Sequence, residues 1–108
     1  MFTVKVWDSV SEIGYKQITT FFSDFSIAER FGVDAIKDTY RRAFNEWKSD
    51  YKYLTELVLV LNRKSWQFYS EDKPELSKLY AELYEEANDY AWANLKGEDL
   101  RYYYITTD

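Results

Sequence analysis

The chain contains no cysteine and no histidine. Without these residue types it cannot form disulfides, zinc sites of the usual ligand types, or the serine–histidine and cysteine–histidine arrangements of many hydrolases. It has only 3 glycines and 1 proline, which disfavours a β-sandwich with many turns and a glycine-rich phosphate loop. These scarcities exclude several classes of enzyme and argue against one common all-β architecture.

What is present suits one small globular domain: 108 residues, of which 46% are hydrophobic and 31% charged. A chain of this length buries roughly two thirds of its unfolded surface on folding, enough for one core without cross-links. The first ten residues do not have the pattern of a signal peptide, and no apolar stretch approaches the ~20 residues of a transmembrane helix. We therefore predict a single helical domain over residues 1–108, located in the cytoplasm.

The net charge of −5 is concentrated in the last third of the chain. Residues 71–108 hold 10 Asp or Glu and 4 Lys or Arg, a balance of −6, whereas residues 1–70 hold 9 and 10, a balance of +1. The basic residues are scattered rather than aligned, which disfavours direct binding to nucleic acid. An acidic segment of this kind favours binding to a basic surface on another protein.

From residue 18 onward, apolar residues recur with a period of about 3.6, which predicts helices. The apolar stripe stays in phase from Ile36 to Phe68, so one helix over 34–69 or two helices broken near 48–51 are both open. Like-charged pairs across the junction, and Asp50 as a competent N-cap, favour the break. The predicted helices lie near 19–31, 34–48, 51–69 and 74–95. The expected fold is an all-α bundle of three to four main helices.

The remaining boundaries are predicted from capping residues and from composition. The first helix is expected to begin at Thr19 or Thr20 and to end at Gly32 in a left-handed conformation, and Asp34 is expected to cap the second helix. Residues 2–7 alternate as in a β-strand, and residues 104–107 have a similar β-favouring composition. A short two-stranded pairing of the termini is therefore an open alternative.

The fourth predicted helix opens at Pro74, is closed by Gly97, and carries a row of carboxylates. Four acids fall within an arc of about 100° opposite its apolar stripe: Glu82, Glu85, Glu86 and Asp89. Two interpretations are open: a solvated face whose charges can be reversed without loss of stability, or a row that imitates nucleic-acid phosphates for the Lys and Arg of a partner. A metal site is disfavoured because side chains on one exposed helix face diverge.

No catalytic residue, metal or cofactor is predicted. The acids nearest apolar runs are Asp24 and Glu56, and a hydrolytic carboxylate would have to rise from such a run into a cleft. Glu56 falls on the flank of its helix, where we interpret it as solvated. The chain is therefore expected not to be an enzyme.

Aromatic residues are abundant, with 7 Phe, 4 Trp and 11 Tyr. They predict a core built from rings or, alternatively, exposed anchors for a partner, because Tyr and Trp are frequent among binding hot spots. Three consecutive tyrosines cannot all face one core in a helix or a strand, so at least one is expected at the surface. The candidate aromatic contacts are Trp92, Tyr102, Tyr103 and Tyr104.

Three segments carry a resemblance to known proteins: ITTFFSDFSIAERFG, DTYRRAFNEWKSDYKYLTELVLVLN and ANLKGEDLRYYYITTD. From Ile18 to Asp108 the chain resembles small acidic proteins carried on conjugative elements and phages of Gram-positive bacteria. The resemblance implies an accessory protein that inhibits host defence, as anti-CRISPR and antirestriction proteins do. Its implied partner is a nucleic-acid-handling protein such as an RNA-guided nuclease, which holds nucleic acid in a positively charged channel.

A second class of function is open beside this one. The chain is alternatively a structural or oligomerising module of a mobile element, whose aromatic surface packs against a second copy as a homodimer. Neither class predicts direct binding to nucleic acid or to a membrane. The two classes differ in the partner that they require: a basic protein for the inhibitor, and only a second copy for the module.

Overall fold

The computed structural model describes the backbone of residues 12–107 and the side chains of residues 19–107. These residues form α1 (Glu12–Phe31), α2 (Val33–Trp47), α3 (Tyr51–Ser70), α4 (Pro74–Asn94) and α5 (Glu98–Thr107). The predicted all-α class is therefore confirmed. The described part of the chain contains five helices, where three to four main helices were predicted.

The first helix is longer than predicted. α1 begins at Glu12 and passes through Thr19 and Thr20, so the predicted start at these two residues is wrong. Hydroxyl side chains can remain inside a helix when they bond to the carbonyl one turn earlier. Ser26 does so, since its hydroxyl donates to the Phe22 carbonyl oxygen at 3.2 Å.

Gly32 separates α1 from α2, as predicted. Its φ of 102° lies in the region that favours glycine, and its amide donates to the Ala28 carbonyl oxygen at 3.0 Å. Gly32 is also the residue that precedes α2, so the prediction of Asp34 as the N-cap is wrong. Asp34 lies in the first turn instead, where a carboxylate interacts favourably with the helix dipole.

The predicted break between the second and third helices is confirmed. Residues 48–50 form a turn, and the Asp50 carboxylate caps α3 by accepting a hydrogen bond from the Lys52 amide at 3.1 Å. Pro74 opens α4, also as predicted. Gly97 does not close α4, which ends at Asn94; its carbonyl instead accepts from the Arg101 amide at the start of α5.

The strand predicted for residues 104–107 is wrong, because these residues lie in α5. α5 packs against α3, and the ring of Tyr103 in α5 is buried. Strand propensity is mainly a preference for a half-buried pleated surface, so tertiary packing of a helix overrides it. The strand predicted for residues 2–7 lies outside the described residues.

α3 is the central element of the bundle and packs against α2, α4 and α5. Its residues 54–61 are all buried, including the polar Thr55 and Glu56. Glu56 is only 2% exposed, so the interpretation of this residue as solvated is wrong. A helix segment that other helices cover on all sides has no solvated flank. The periodicity within one helix cannot predict this, because it contains no information about which other helices pack against it.

A polar junction joins three of the helices inside this bundle. The Lys64 ammonium of α3 pairs with the Glu29 carboxylate of α1 and lies 5.7 Å from the centroid of the Tyr80 ring of α4. The Tyr80 hydroxyl donates to Glu29 at 3.5 Å. Both partners of the ion pair are largely shielded from solvent, with side chains 16% and 26% exposed. The junction therefore holds α1, α3 and α4 in a fixed arrangement.

Candidate functional site

The carboxylate row predicted for the fourth helix lies on the exposed side of α4. Its four members, Glu82, Glu85, Glu86 and Asp89, are all exposed, and we call them the acidic face. The buried residues of α4 lie on the other side of the helix: Leu79, Tyr80, Ala87 and Ala91. Among the residues that the structure describes, none of the four carboxylates has a Lys or Arg nitrogen within 4.0 Å. The same residues contain no acidic group arranged to hold a metal ion.

One border of the acidic face is a groove of about 200 Å³ between α2 and α4. α2 contributes Lys37, Tyr40 and Arg41 to its lining, and α4 contributes Glu82 and Glu86 together with two leucines. Two of the four acids therefore lie beside basic side chains of the same protein. Glu85 and Asp89 do not line this groove, so they are the acids with the weakest internal compensation.

Tyr40 lines this groove and also belongs to the buried core. Its side chain is buried, and its hydroxyl has no hydrogen-bond partner within 3.5 Å among the described residues. Burial raises the pKa of Tyr40 above its usual value, and the nearby Glu86 carboxylate raises it further. Reversing the charge of Glu86 would change the surroundings of a buried hydroxyl, so among the four acids this is the residue at which we expect charge reversal to affect stability.

The other border of the acidic face carries an aromatic pair that sequence reasoning missed. Trp66 and Tyr69 of α3 are 62% and 70% exposed, and their rings meet edge to face with centroids 5.7 Å apart. They line a groove of about 360 Å³ with Ser65, Ser77 and Ala81. Neither ring lies on the apolar stripe of α3, which includes Leu61 and Phe68. This position was the indication in the sequence that the two side chains are exposed.

Small residues explain why the helices approach closely under this groove. The Ser77 hydroxyl donates to the Ser65 carbonyl at 2.9 Å, and the Ser65 hydroxyl donates to the Ser77 carbonyl at 3.2 Å. These reciprocal bonds join α3 to α4 without a bulky side chain between them. The rings of Trp66 and Tyr69 consequently project beyond the contact instead of filling it.

The predicted aromatic contacts divide into exposed and buried residues. Trp92 and Tyr104 are 45% and 52% exposed, and their rings lie 5.8 Å apart at an angle of 77°. Tyr102 is half-buried against Tyr51. Tyr103 is completely buried, and its hydroxyl donates to the Asn88 side chain at 2.8 Å.

Tyr103 is therefore a core residue, and its assignment as a surface contact is corrected by the structure. Burial raises the pKa of its hydroxyl, so the ring stays neutral and packed at ordinary pH. The expectation that at least one of the three consecutive tyrosines reaches the surface is confirmed by Tyr104. Trp92 and Tyr104 remain available next to the acidic face.

A separate apolar patch lies at the corner between α1 and α2. Ile27, Phe31 and Val33 are exposed there, and Phe31 has 76% of its surface free. Ile27 and Phe31 also line a groove of about 220 Å³ with Asp24, Asp38 and Arg42. Contiguous exposed apolar residues of this kind are typical of interaction surfaces.

Comparisons with protein-family models, with curated proteins and with solved structures find no match to this chain. The geometry of the surface is therefore the basis for a functional proposal. Between residues 12 and 107, no helix has the length and apolar character needed to span a membrane.

Proposed function

We propose that this protein binds the basic, nucleic-acid-binding surface of another protein in a bacterial cytoplasm and inhibits that protein without catalysing a reaction. The partner class that we propose is an RNA-guided nuclease, in line with the resemblance to anti-CRISPR-like proteins of mobile elements. The observation that carries the proposal is the acidic face of α4, whose four carboxylates are exposed and lack cationic partners among the described residues.

The spacing of the acidic face supports imitation of a phosphate backbone. Glu82 and Asp89 are seven residues apart, so the four charges extend over about 10.5 Å of helix axis, or about 3.5 Å per charge. One strand of duplex DNA carries a phosphate about every 3.4 Å of its axis. A channel that is lined with Lys and Arg to hold nucleic acid can therefore meet a similar linear density of charge on α4.

The test is the affinity for immobilised RNA-guided nucleases of Gram-positive bacteria, measured with and without guide RNA. The variant Glu85→Lys with Asp89→Lys changes the two acids that lie away from the groove with α2. It is expected to weaken binding at least tenfold, about 1.4 kcal/mol, mainly through slower association. Wild-type affinity is expected to fall as salt rises, because exposed charges are screened over about 8–10 Å.

The matched control is Glu46→Lys with Glu71→Lys, which makes the same change of net charge at exposed acids outside α4. It is expected to retain most of the affinity. Equal losses in both variants would mean that net charge alone matters and would contradict a defined site on α4. Absence of binding across the nucleases, or binding unaffected by guide RNA, would overturn competition with nucleic acid.

A second candidate function, an oligomerising module, is favoured by the apolar patch at Ile27, Phe31 and Val33. If a second copy covers this patch, Phe31→Glu should convert a dimer into a monomer in sedimentation velocity. A wild-type chain that is monomeric at all accessible concentrations would overturn this candidate. Dimerisation that is lost in Phe31→Glu, together with no affinity for any nuclease, would favour it over the inhibitor.

A further inference from the structure

Two exposed aromatic pairs lie on the same side of α4. The groove of Trp66 and Tyr69 is built on Ala81, whereas the ring of Trp92 itself contacts Tyr104. Ala81 and Trp92 are eleven residues apart, which places them about 20° apart around the helix and about 16.5 Å apart along it. The four rings therefore lie in a row along this surface. We call the row of Trp66, Tyr69, Trp92 and Tyr104 the aromatic line.

Glu85 lies between the two pairs. It is four residues after Ala81 and seven before Trp92, which puts it about 40° and 20° from them around the helix axis. Its carboxylate is exposed and has no Lys or Arg within 4.0 Å among the described residues. The surface thus presents an aromatic pair, then a carboxylate, then a second aromatic pair.

We infer that the aromatic line binds an arginine-rich segment, with one guanidinium stacked on each aromatic pair and a third paired with Glu85. The inference rests on the proposed function and names the segment of the partner that meets this surface. Arginine suits all three positions, because its planar guanidinium stacks on Trp and Tyr faces and also forms paired hydrogen bonds with a carboxylate.

Charge complementarity selects this occupant over nucleic acid. Exposed aromatic rings can also stack on unpaired bases, but such sites combine the rings with a positively charged groove. Here residues 71–108 carry a balance of −6, and the carboxylate of Glu85 stands between the rings. Phosphates would be repelled where guanidinium groups are attracted.

The spacing further defines the segment. The distance of about 16.5 Å that separates Ala81 from Trp92 along the axis of α4 equals about five residues of an extended chain at about 3.3 Å per residue, or eleven residues of a helix. Because alternate side chains of an extended chain face the same side, arginines four or six positions apart would both face α4 over about this length. An arginine between them would lie over Glu85.

The experiment uses the full chain with three probes: nona-arginine, nona-lysine and an oligothymidine of nine nucleotides. We expect nona-arginine to bind several-fold more tightly than nona-lysine, and oligothymidine to bind more weakly than either peptide. Trp66→Ala and Trp92→Ala are each expected to weaken nona-arginine binding about three- to tenfold. Phe31→Ala is the matched control, because it removes a ring that is even more exposed, at the α1–α2 corner, and should leave the affinity for nona-arginine unchanged.

Two conservative variants separate ring stacking from simple apolar contact. Trp66→Phe keeps an aromatic face and should retain most of the affinity, whereas Trp66→Leu keeps apolar area and should lose it. Because Trp66 is 62% exposed, these variants are expected to fold, and an unchanged melting temperature checks that they do. Equal retention of affinity in Phe and Leu variants would overturn stacking as the basis of recognition.

The outcomes distinguish this inference from the proposed function. Equal affinity for the two peptides, or no effect of Trp66→Ala, overturns the arginine-binding line even if Glu85→Lys with Asp89→Lys still abolishes nuclease binding. Loss of nona-arginine affinity in the Trp variants, without inhibition of any nuclease, supports the line and overturns the proposed function. Preference for oligothymidine overturns both. A Trp66→Ala effect confined to self-association assigns the surface to a second copy and overturns the inference.

Discussion

Glu29 and Glu85 are both glutamates on helices, and the protein uses them in opposite ways. Glu29 is shielded between α1, α3 and α4, where it pairs with Lys64 and accepts a bond from Tyr80. Glu85 is exposed on α4 and has no basic partner within 4.0 Å among the side chains of residues 19–107. The first carboxylate satisfies charges within the protein, whereas the second leaves a charge that another molecule can satisfy.

The aromatic residues show the same division over neighbouring positions. Tyr103 is fully buried and bonded to Asn88, while Tyr104 is half exposed against Trp92. We therefore expect stability to depend on the interior around α3, and the proposed recognition of a partner to depend on one side of α4. Variants of the two regions are expected to have separable effects on stability and on binding.

The largest expected effect is alkaline destabilisation through the interior tyrosines. Burial raises the pKa of Tyr40, Tyr80 and Tyr103 above the ordinary value near 10, and nearby Glu86 and Glu29 add to it for the first two. Each hydroxyl stays neutral in the folded chain but ionises in the unfolded chain as pH passes 10. Their contribution is thus complete below pH 10 and is lost above it, by about 1.4 kcal/mol per tyrosine at pH 11.

Denaturant unfolding at pH 8, 10 and 11 checks this, with Tyr40→Phe as the control. The Tyr40 hydroxyl has no hydrogen-bond partner within 3.5 Å among the described residues, so its removal should leave the stability at pH 8 unchanged or slightly higher. The variant should also lose about 1.4 kcal/mol less than the wild type at pH 11. An identical alkaline loss in both proteins would contradict the assignment of Tyr40 to the titrating interior.

The next largest effect is expected from breaking the polar junction. Glu29→Ala leaves Lys64 in a largely shielded position without its carboxylate and removes the acceptor of Tyr80. We expect the free energy of unfolding to fall by about 1–3 kcal/mol, less than for a fully buried pair because both side chains retain some exposure. Thermal and denaturant unfolding measure it, with Glu46→Ala as an exposed control; a loss of less than 0.5 kcal/mol would show that the junction is not stabilising.

The smallest effect on stability is expected at the acidic face. Glu85→Lys with Asp89→Lys creates a new like-charged pair but places each lysine three residues after a glutamate, so the free energy of unfolding should change by less than about 0.5 kcal/mol. Glu86→Lys is the informative contrast, because this residue lies beside Lys37, Arg41 and the buried Tyr40. It should be the less stable variant, and the reverse order would break the division between the two borders of the acidic face.

Much of the helical layout could be predicted from local patterns. The turn at residues 48–50 was predicted because Asp50 can cap a helix and like charges flank the junction, and the structure has Asp50 as the cap of α3. The start of α1 and the helix at Tyr104–Thr107 were not predicted. Hydroxyl and β-branched residues have only weak local preferences, and the packing of α5 against α3 decides the conformation of Tyr104–Thr107.

The candidate site divides similarly. The periodicity of α4 alone predicted which of its acids are exposed: Glu82, Glu85, Glu86 and Asp89. The role of Trp66 and Tyr69 could not follow from α3 alone, because their groove requires Ser77 and Ala81 of another helix. Surfaces built from two elements depend on distances between elements, which a periodic pattern does not contain.

The sequence by itself determined the helical class, the break near Gly32 and the side of α4 on which the acids lie, and it favoured a break near residues 48–50. Each of these depends on side chains within one or two turns of one another, where backbone geometry sets the relation. Only the tertiary structure decided that Glu56 and Tyr103 are buried and that Trp66 lies on the same side of α4 as Trp92. Those facts depend on which helix covers which, and that choice is made by the summed burial of the whole core rather than by any segment.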